Sequence, residues 1–547
     1  MKRIIYIATL ILLPWVVFAQ SEQKHSRIEK NLSIYNDILR LLDIMYVDTL
    51  NYDKLMTTSI NSCLNSLDPY TVYIPEEDTE DLTFMTTGTY GGIGALIVQR
   101  DEDVMISEPY EGMPAQKAGL KAGDLLLKID GESARGKSTA EVSAMLRGVP
   151  HDKISIVVKR RGEKKNLTFE FEREKIQINP VSYAGCVAPG IGYIKLTEFT
   201  ENAASEFKNG VKDMVNQDQI NSLIIDLRDN GGGIIEEAVK ILSMFVPKGT
   251  EVVSTKGKIP QVETSYKTLT DPLFPDMKVA VLVNRFSASA AEIVAGVFQD
   301  LDRGVLIGER TFGKGLVQNI RPLSYGGNLK LTTAKYYIPS GRCIQAIDYS
   351  HRNEDGSVGR VPDSLTTVFL TKRGREVRDG GGVSPDIEVK QPEGINICYY
   401  LFVENMFFDY ATEYCQRHPS IAPAQEFTLT DEDFADFEAF LTKKEFTYQT
   451  QTASYLESLK DLIKFEQLDS IAANELKALE EIIKPNISEE LKRNRKEIEE
   501  MLGSEIIKRY YYQKGDIIYT LRTNKDFSEA KELLNDEKRY KKILNMN

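Results

Sequence analysis

Histidine is the first scarcity. The 547 residues hold only four, His25, His151, His351 and His418. None lies beside a glycine-rich strand-to-helix turn, so a Ser-His-Asp triad has no obvious centre. The HExxH spacing of zinc peptidases is missing too. Cysteine is sparse and solitary: Cys63, Cys186, Cys343, Cys398 and Cys415 form no CxxC pair and have no histidine partner. That excludes a zinc site or a disulfide-built scaffold as the organising principle, while leaving room for one pair to close in an oxidising compartment. Positive charge is in deficit, with 68 Lys and Arg against 81 Asp and Glu and a formal net charge of −13. Such a chain has no general attraction for phosphate backbones, and nucleic acid is not an expected partner. Beyond residue 19 there is no long apolar run. What remains is ordinary globular composition over a length that exceeds one core, so roughly two to four domains are expected.

At the N-terminus Lys2 and Arg3 precede an apolar run from Ile4 to Phe18, and Val17-Phe18-Ala19 ends in a small residue before Gln20. This reads as a secretory signal cleaved after Ala19, and predicts an exported protein of the periplasm or cell envelope. The alternative is an uncleaved anchor, which Pro14 and the shortness of the run disfavour.

Between Arg27 and Leu67 apolar and aromatic positions recur at helical spacing (Ile28, Leu32, Tyr35, Leu39, Leu42) until Asp68-Pro69-Tyr70 stops them. From Gly88 the character changes to short β runs at 91–97, 104–106, 125–129 and 154–158. Between the last two sits one helix, opened by Ser138 with Glu141 three residues on as a capping box, and running through Val142 and Leu146. From Gly192 the pattern is strand, glycine loop, helix. Residues 222–227 form an apolar strand, Asp229-Asn230-Gly231-Gly232-Gly233 a loop, and Ile235, Ala238, Val239, Leu242, Phe245 and Val246 one face of a helix. The same order recurs at 279–283, followed by a helix from about Ala288 to Phe298. Two such units imply an α/β core with helix N-termini near strand ends. Beyond about Val389 the chain is charged and helical, notably at 471–483 and 489–501, as expected of a domain for packing, dimerisation or partner contact. The fold class is multidomain α+β, with a leader at 1–19, N-terminal helices at 20–82, a β module at 83–175, an α/β core at 176–390 and a helical domain at 391–547.

With histidine out of place, a nucleophile must be activated otherwise. Ser289, in Ser287-Ala288-Ser289-Ala290-Ala291-Glu292-Ile293, stands where a buried strand turns into a helix. The unpaired N–H groups of a first helical turn stabilise an alkoxide or an oxyanion, although a serine at a helix start is by itself an ordinary cap. Lys314 lies between glycines in Gly308-Glu309-Arg310-Thr311-Phe312-Gly313-Lys314-Gly315-Leu316-Val317-Gln318. To take a proton near neutrality a lysine must lose about three pH units from ~10.4, roughly 4 kcal/mol, which burial away from carboxylates supplies. A phosphate-binding P-loop is set aside, because Gly315 stands where a Ser or Thr must hold magnesium and the following residues read as strand. The glycines of 229–233 offer open N–H groups before a helix, suited to an oxyanion hole or simply to a tight turn.

Together these stretches, with Phe298-Gln299-Asp300, Tyr337-Ile338-Pro339-Ser340-Gly341-Arg342, Gly381-Gly382-Val383-Ser384-Pro385-Asp386 and Asp68-Pro69-Tyr70-Thr71, resemble the successive signatures of carboxyl-terminal-processing peptidases, the tail-specific S41 serine peptidases. The resemblance covers about residues 30–390 and departs from the family at Ala291, where a third serine is common. It implies a crotonase- or ClpP-like core, Ser289 as nucleophile, Lys314 as base and Gln318 as the residue that orients the lysine. It also implies an oxyanion hole from the amides of Ala290 and of Gly232 or Gly233, with Glu292, Asp300 and Thr311 in support, and no metal or other cofactor. In a straight strand Lys314 and Gln318 would lie ~13 Å apart, so their contact needs a bend at Gly315. By the same resemblance the β module is a PDZ domain. Its loop Gly92-Ile93-Gly94-Ala95 would hold a peptide's terminal carboxylate, and its groove would take apolar side chains against the helix carrying Val142 and Leu146. The partners implied are protein substrates with apolar C-termini, with room for an adaptor lipoprotein and for a homodimer through the helical regions. A non-catalytic PDZ adaptor or periplasmic scaffold is the rival reading, and the intact Ser289, Lys314 and Gln318 set speaks against it.

Overall fold

The computed structural model describes residues 26–76, 87–352, 358–390 and 394–546, so the leader at 1–19 lies outside the described residues. Two units are present, Met1–Ile74 with Ile320–Leu331, and Pro75–Asn319 with Thr332–Asn547. In the first, residues 26–45 and Tyr52–Asn65 are helices, the second capped by Asn51 on the amide of Lys54. Asp68 ends the helical run by accepting the amides of Tyr70 and Thr71 at 2.8 Å, a side-chain turn that competes with helix. Val72–Ile74 then pairs antiparallel with residues 328–330.

The second unit opens with the β module. Ala95–Arg100, Asp103–Pro109, Leu125–Ile129, Lys153–Lys159 and Leu167–Glu172 form an antiparallel sheet in that order. Alternate residues such as Ile154, Ile156 and Val158 are buried against one core, the half-buried periodicity of an antiparallel sheet. The helix Thr139–Leu146 carries the expected capping box: Ser138 accepts the amide of Glu141, and Glu141 accepts that of Ser138. Thr89–Gly92 pairs separately with Glu174–Gln177.

The α/β core is a six-stranded sheet, Val181–Ala188, Ile191–Leu196, Ser222–Asp226, Lys278–Val283, Val305–Gly308 and Ile387–Glu388. The last five are parallel and the first antiparallel to its neighbour. Leu223, Ile225, Val279 and Val281 face the helices Ala203–Asp218, Ile235–Leu242 and Ala290–Asp300. Ile224, Ala280 and Leu282 face the other way, onto Ile517, Leu521, Phe527, Leu533 and Tyr540. Burial on both faces is why the strand runs are continuously apolar rather than alternating. The end of the charged C-terminal stretch therefore supplies one layer of the α/β core, while residues 397–507 build their own aromatic core around Phe407, Tyr410 and Phe437.

Two helix boundaries differ from expectation. The helix expected to reach Val246 ends at Leu242. The Ser243 hydroxyl bonds back to the Val239 carbonyl at 2.7 Å, and Pro247 disfavours a helical Val246. The run expected at 489–501 is two helices, Ile487–Arg493 and Arg495–Leu521, separated by the non-helical Asn494 (φ −102°, ψ 14°). Among the described residues no helix is long and apolar enough to cross a membrane.

Candidate active site

The buried central strand Lys278–Val283 delivers the chain to Asn284, whose side chain organises the turn beyond it. Its Oδ1 accepts the amides of Phe286 and Asp229, each at 3.1 Å. The Ser287 hydroxyl donates to the Leu227 carbonyl at 2.8 Å, and the Ala288 amide to the Asn230 carbonyl at 2.9 Å. The turn is thus laced to the 227–233 loop before Ser289 is reached. Ser289 sits at φ 57°, ψ −118°, a conformation that costs a non-glycine residue about 1–3 kcal/mol and persists only where its surroundings enforce it. It is half-buried at the entrance to the helix Ala290–Asp300.

The glycine loop meets it directly. Gly232 has φ 102°, and a Cβ there would stand 2.6 Å from Ser289 Cβ and 3.0 Å from the Ala290 nitrogen. Gly232 and Gly233 are not equivalent, however. The Gly232 amide donates to Asn230 Oδ1 at 2.8 Å, whereas no protein acceptor takes the amide of Gly233 or of Ala290 among the described residues. Open donors beside Ser289 are what an oxyanion requires. Gly232→Ala is expected to lower kcat by at least about a hundredfold with little change in KM, because the new methyl must displace the serine itself; steady-state kinetics on a peptide substrate checks it.

Lys314 is brought to Ser289 by a group that the sequence marks only as supporting. Glu292, fully buried, accepts the Ser289 amide at 2.9 Å and the Lys314 amide at 2.8 Å on the same oxygen, Oε2. Its Oε1 accepts the Gly313 amide at 2.8 Å and the Thr311 hydroxyl at 2.5 Å. Backbone positions 25 residues apart are therefore held within two hydrogen-bond lengths. Tyr336 repeats the link from the other side, its hydroxyl lying 3.1 Å from the Ser289 carbonyl and hydrogen-bonded to the Lys314 carbonyl. Burial pushes the Glu292 carboxyl up to about 7 against the pull of its four donors. Lys314 itself is half-buried.

The remaining expected residues fall into two groups. Gln318 lies on the strand Leu316–Pro322 and donates to Thr332 Oγ1 at 3.2 Å. Before that strand the chain is irregular, with Gly315 packed on Gln345 and its amide donating to the Gln345 side chain at 2.7 Å. Thr311 accepts the Val383 amide at 2.7 Å as well as binding Glu292, and so braces the lysine loop. Asp300 is not part of this cluster. It ends the helix that Ser289 begins, ~16 Å along its axis, and pairs with the buried Arg342 at 2.8 Å and with the Ser340 amide at 3.0 Å. Its support is structural and remote.

Behind the glycine loop lies an ion-pair network that sequence reading did not find. Arg228 donates twice to Asp226, at 2.9 and 2.6 Å, and reaches Asn524 and Asp526 of the C-terminal helices at 2.9 Å. Although burial opposes it, the Arg228 guanidinium holds the Asp226 carboxyl down to about 2. Asp and Arg two apart at a strand end were the available signal; Asp526, about 300 residues away, had none. Among the described residues no group of three or more His, Cys, Asp or Glu side chains is placed to hold a metal ion.

In the β module a groove of about 250 Å³ runs between the strand Ala95–Arg100 and the helix Thr139–Leu146. Ile93, Ala95, Ile97, Ser143 and Leu146 line it. Val142, expected there, is instead fully buried in the module's core, because it projects beneath the helix rather than beside it. Gly92 closes the strand Thr89–Gly92, and the turn follows at Ile93 and Gly94 (φ 70°). The Arg147 guanidinium lies 5.8 Å over the Tyr90 ring, which puts positive charge at that end of the groove.

Comparison with known proteins gives matches to all three parts. The model of Peptidase family S41 matches residues 190–351, that of the PDZ domain 105–160, and that of the "Probable PDZ-protease, C-terminal helical domain" 397–534. The chain is 36% identical over 343 residues to the carboxy-terminal-processing protease of Bartonella bacilliformis, covering 62% of this chain and 78% of that one. It is 33% identical over 350 residues to a probable CtpA-like serine protease of Staphylococcus aureus, covering 62% and 69%. Among solved structures, the photosystem II D1 C-terminal processing protease is similar at 28% identity, covering 64% of this chain and 86% of that one with a TM-score of 0.36.

Proposed function

Because this chain belongs to the S41 family of carboxy-terminal-processing peptidases, we propose that it is an exported endopeptidase in which Ser289 and Lys314 form a catalytic dyad. The neutral Lys314 amine takes the Ser289 hydroxyl proton as Oγ attacks the scissile carbonyl. Charge developing on the carbonyl oxygen is met by the amides of Ala290 and Gly233. The ammonium returns its proton to the departing amine. Water then attacks the acyl-enzyme, its proton passing to Lys314, and the serine hydroxyl is restored as the acid leaves. The observation that carries this reading is the single carboxylate oxygen of Glu292 accepting both the Ser289 and the Lys314 amides. Arranged otherwise, a lysine in a separate loop has no reason to be tied to a serine in a strained elbow.

Substrate choice belongs to the PDZ groove. Its apolar lining and the basic Arg147 at the glycine turn suit a chain that ends in an apolar residue and a free carboxylate. Two otherwise identical substrates, one ending in valine and one in aspartate, are expected to differ at least tenfold in kcat/KM. Equal values for the pair would remove the groove from substrate selection while leaving the dyad untouched.

A further inference from the structure

Successive side chains of the groove strand Ala95–Arg100 leave on opposite faces. Ala95 and Ile97 line the PDZ groove, while Leu96, Val98 and Arg100 line a second and larger cavity of about 1130 Å³, with Leu96 common to both. The far wall of this cavity comes from the helical domain, through Phe402, Phe408, Lys508, Arg509 and Tyr512. Polar links fasten the two domains around it. Arg100 Nη2 pairs with Asp409 at 2.8 Å, and Arg161 with Glu413 at 2.5 Å. Gln116 donates to the Tyr512 hydroxyl at 3.0 Å, at the point where the helix Arg495–Leu521 is kinked (Tyr512 φ 54°).

Among the described residues the groove strand is an edge, paired only with Asp103–Pro109. A peptide that extends the sheet runs antiparallel to it, and residues facing each other across such a pair send their side chains to the same face. With its last residue opposite Ala95, the peptide presents its first, third and fifth residues before the last opposite Leu96, Val98 and Arg100. Those are the side chains that miss the groove, and they face the second cavity. The chemistry there is distinctive for an acidic chain, since basic side chains outnumber acidic ones two to one on the cavity wall. Arg100 Nη1 and Arg509 Nε are buried and find no acceptor among the described residues. Phe402 is 61% exposed.

We propose that this cavity is a second recognition site for the same substrate tail, reading the side chains that point away from the PDZ groove, with apolar ones favoured opposite Leu96 and Val98 and an acidic one opposite Arg100. The inference rests on the PDZ module binding a peptide terminus.

The test uses the full chain carrying Ser289→Ala and fluorescein-labelled octapeptides, with affinity read by anisotropy at fixed salt. Changing glutamate to lysine five residues before the end of an apolar-tailed peptide is expected to weaken binding about tenfold, and less than about twofold once Arg100→Met is added. Phe402→Ala, at an exposed site, is expected to weaken a peptide with phenylalanine three before the end about fivefold more than one with alanine there. If the glutamate-to-lysine change has no effect while a terminal aspartate abolishes binding, the second site is refuted and the PDZ reading stands. If the terminal aspartate is also without effect, the PDZ reading fails and takes the second site with it.

Discussion

Lys314→Ala is expected to reduce kcat at least about a thousandfold with KM nearly unchanged, and Ser289→Ala to leave no turnover above background. The expectation follows from what each group does for the other. A serine hydroxyl is a weak nucleophile until its proton is taken, and the strained backbone of Ser289 together with the open amide of Ala290 favours only the state after the proton has gone. Lys314→Arg is expected to be as inactive as alanine, since a guanidinium does not give up its proton in a protein and cannot serve as base. Kinetics of the three variants on one peptide, with thermal melts to show that each is folded, decides the matter. A Lys314→Arg enzyme with a tenth or more of the original kcat would show that the lysine supplies charge rather than basicity.

Glu292→Gln is expected to lower kcat about a hundredfold. The carboxylate faces donors on both oxygens, the Ser289 and Lys314 amides on one and the Gly313 amide and Thr311 hydroxyl on the other. A carboxamide must turn its NH2 toward one of these pairs, leaving two donors unmet and the lysine loop displaced, and a displacement of ~1 Å is enough for that loss. Glu292 is a positioning residue, so its pH behaviour separates this role from simple destabilisation. Its carboxyl lies at about 7 in the folded protein against an ordinary 4.5. Folding therefore favours the protonated form. The associated stability, about 3 kcal/mol, is fully present below pH 4.5 and is lost as pH rises through 7. Activity runs the other way, because only the carboxylate accepts all four donors. Wild-type kcat is expected to fall as pH drops below 7 while thermal stability relative to Glu292→Gln rises. Parallel pH profiles of kcat and Tm for the two proteins check this, and a Tm difference that is flat between pH 5 and 8 would contradict it.

Much of this site was legible because its parts are local. Strand, turn and helix start are written in consecutive residues at 279–293 and 222–239, and Gly232, Gly233, Gly313 and Gly315 mark close approaches that larger residues would block. What could not be read was contact across long separations. Tyr336 looks like any aromatic residue of a strand, yet its hydroxyl bridges the Ser289 and Lys314 carbonyls. The last helices look like a separate helical domain, yet Phe527 and Leu533 cover one face of the catalytic sheet, and Asp526 holds the arginine that leads into the glycine loop. Val142 shows the same limit on a smaller scale. Helical periodicity says that it faces inward but not whether it meets the groove or the core beneath. Asp300 was grouped with Ser289 by the family resemblance, although the helix expected from about Ala288 to Phe298 already sets the two at opposite ends of one helix.

The central claim is that Ser289 carries the acyl group. Rapid acid quench of the enzyme with an activated ester of an apolar peptide, followed by mass analysis of its fragments, should find the acyl mass on Ser289 in the wild type, no such adduct in Ser289→Ala, and slower acylation in Lys314→Ala. Full hydrolysis by the Ser289→Ala protein, or an adduct on any other side chain of an active enzyme, would contradict the account.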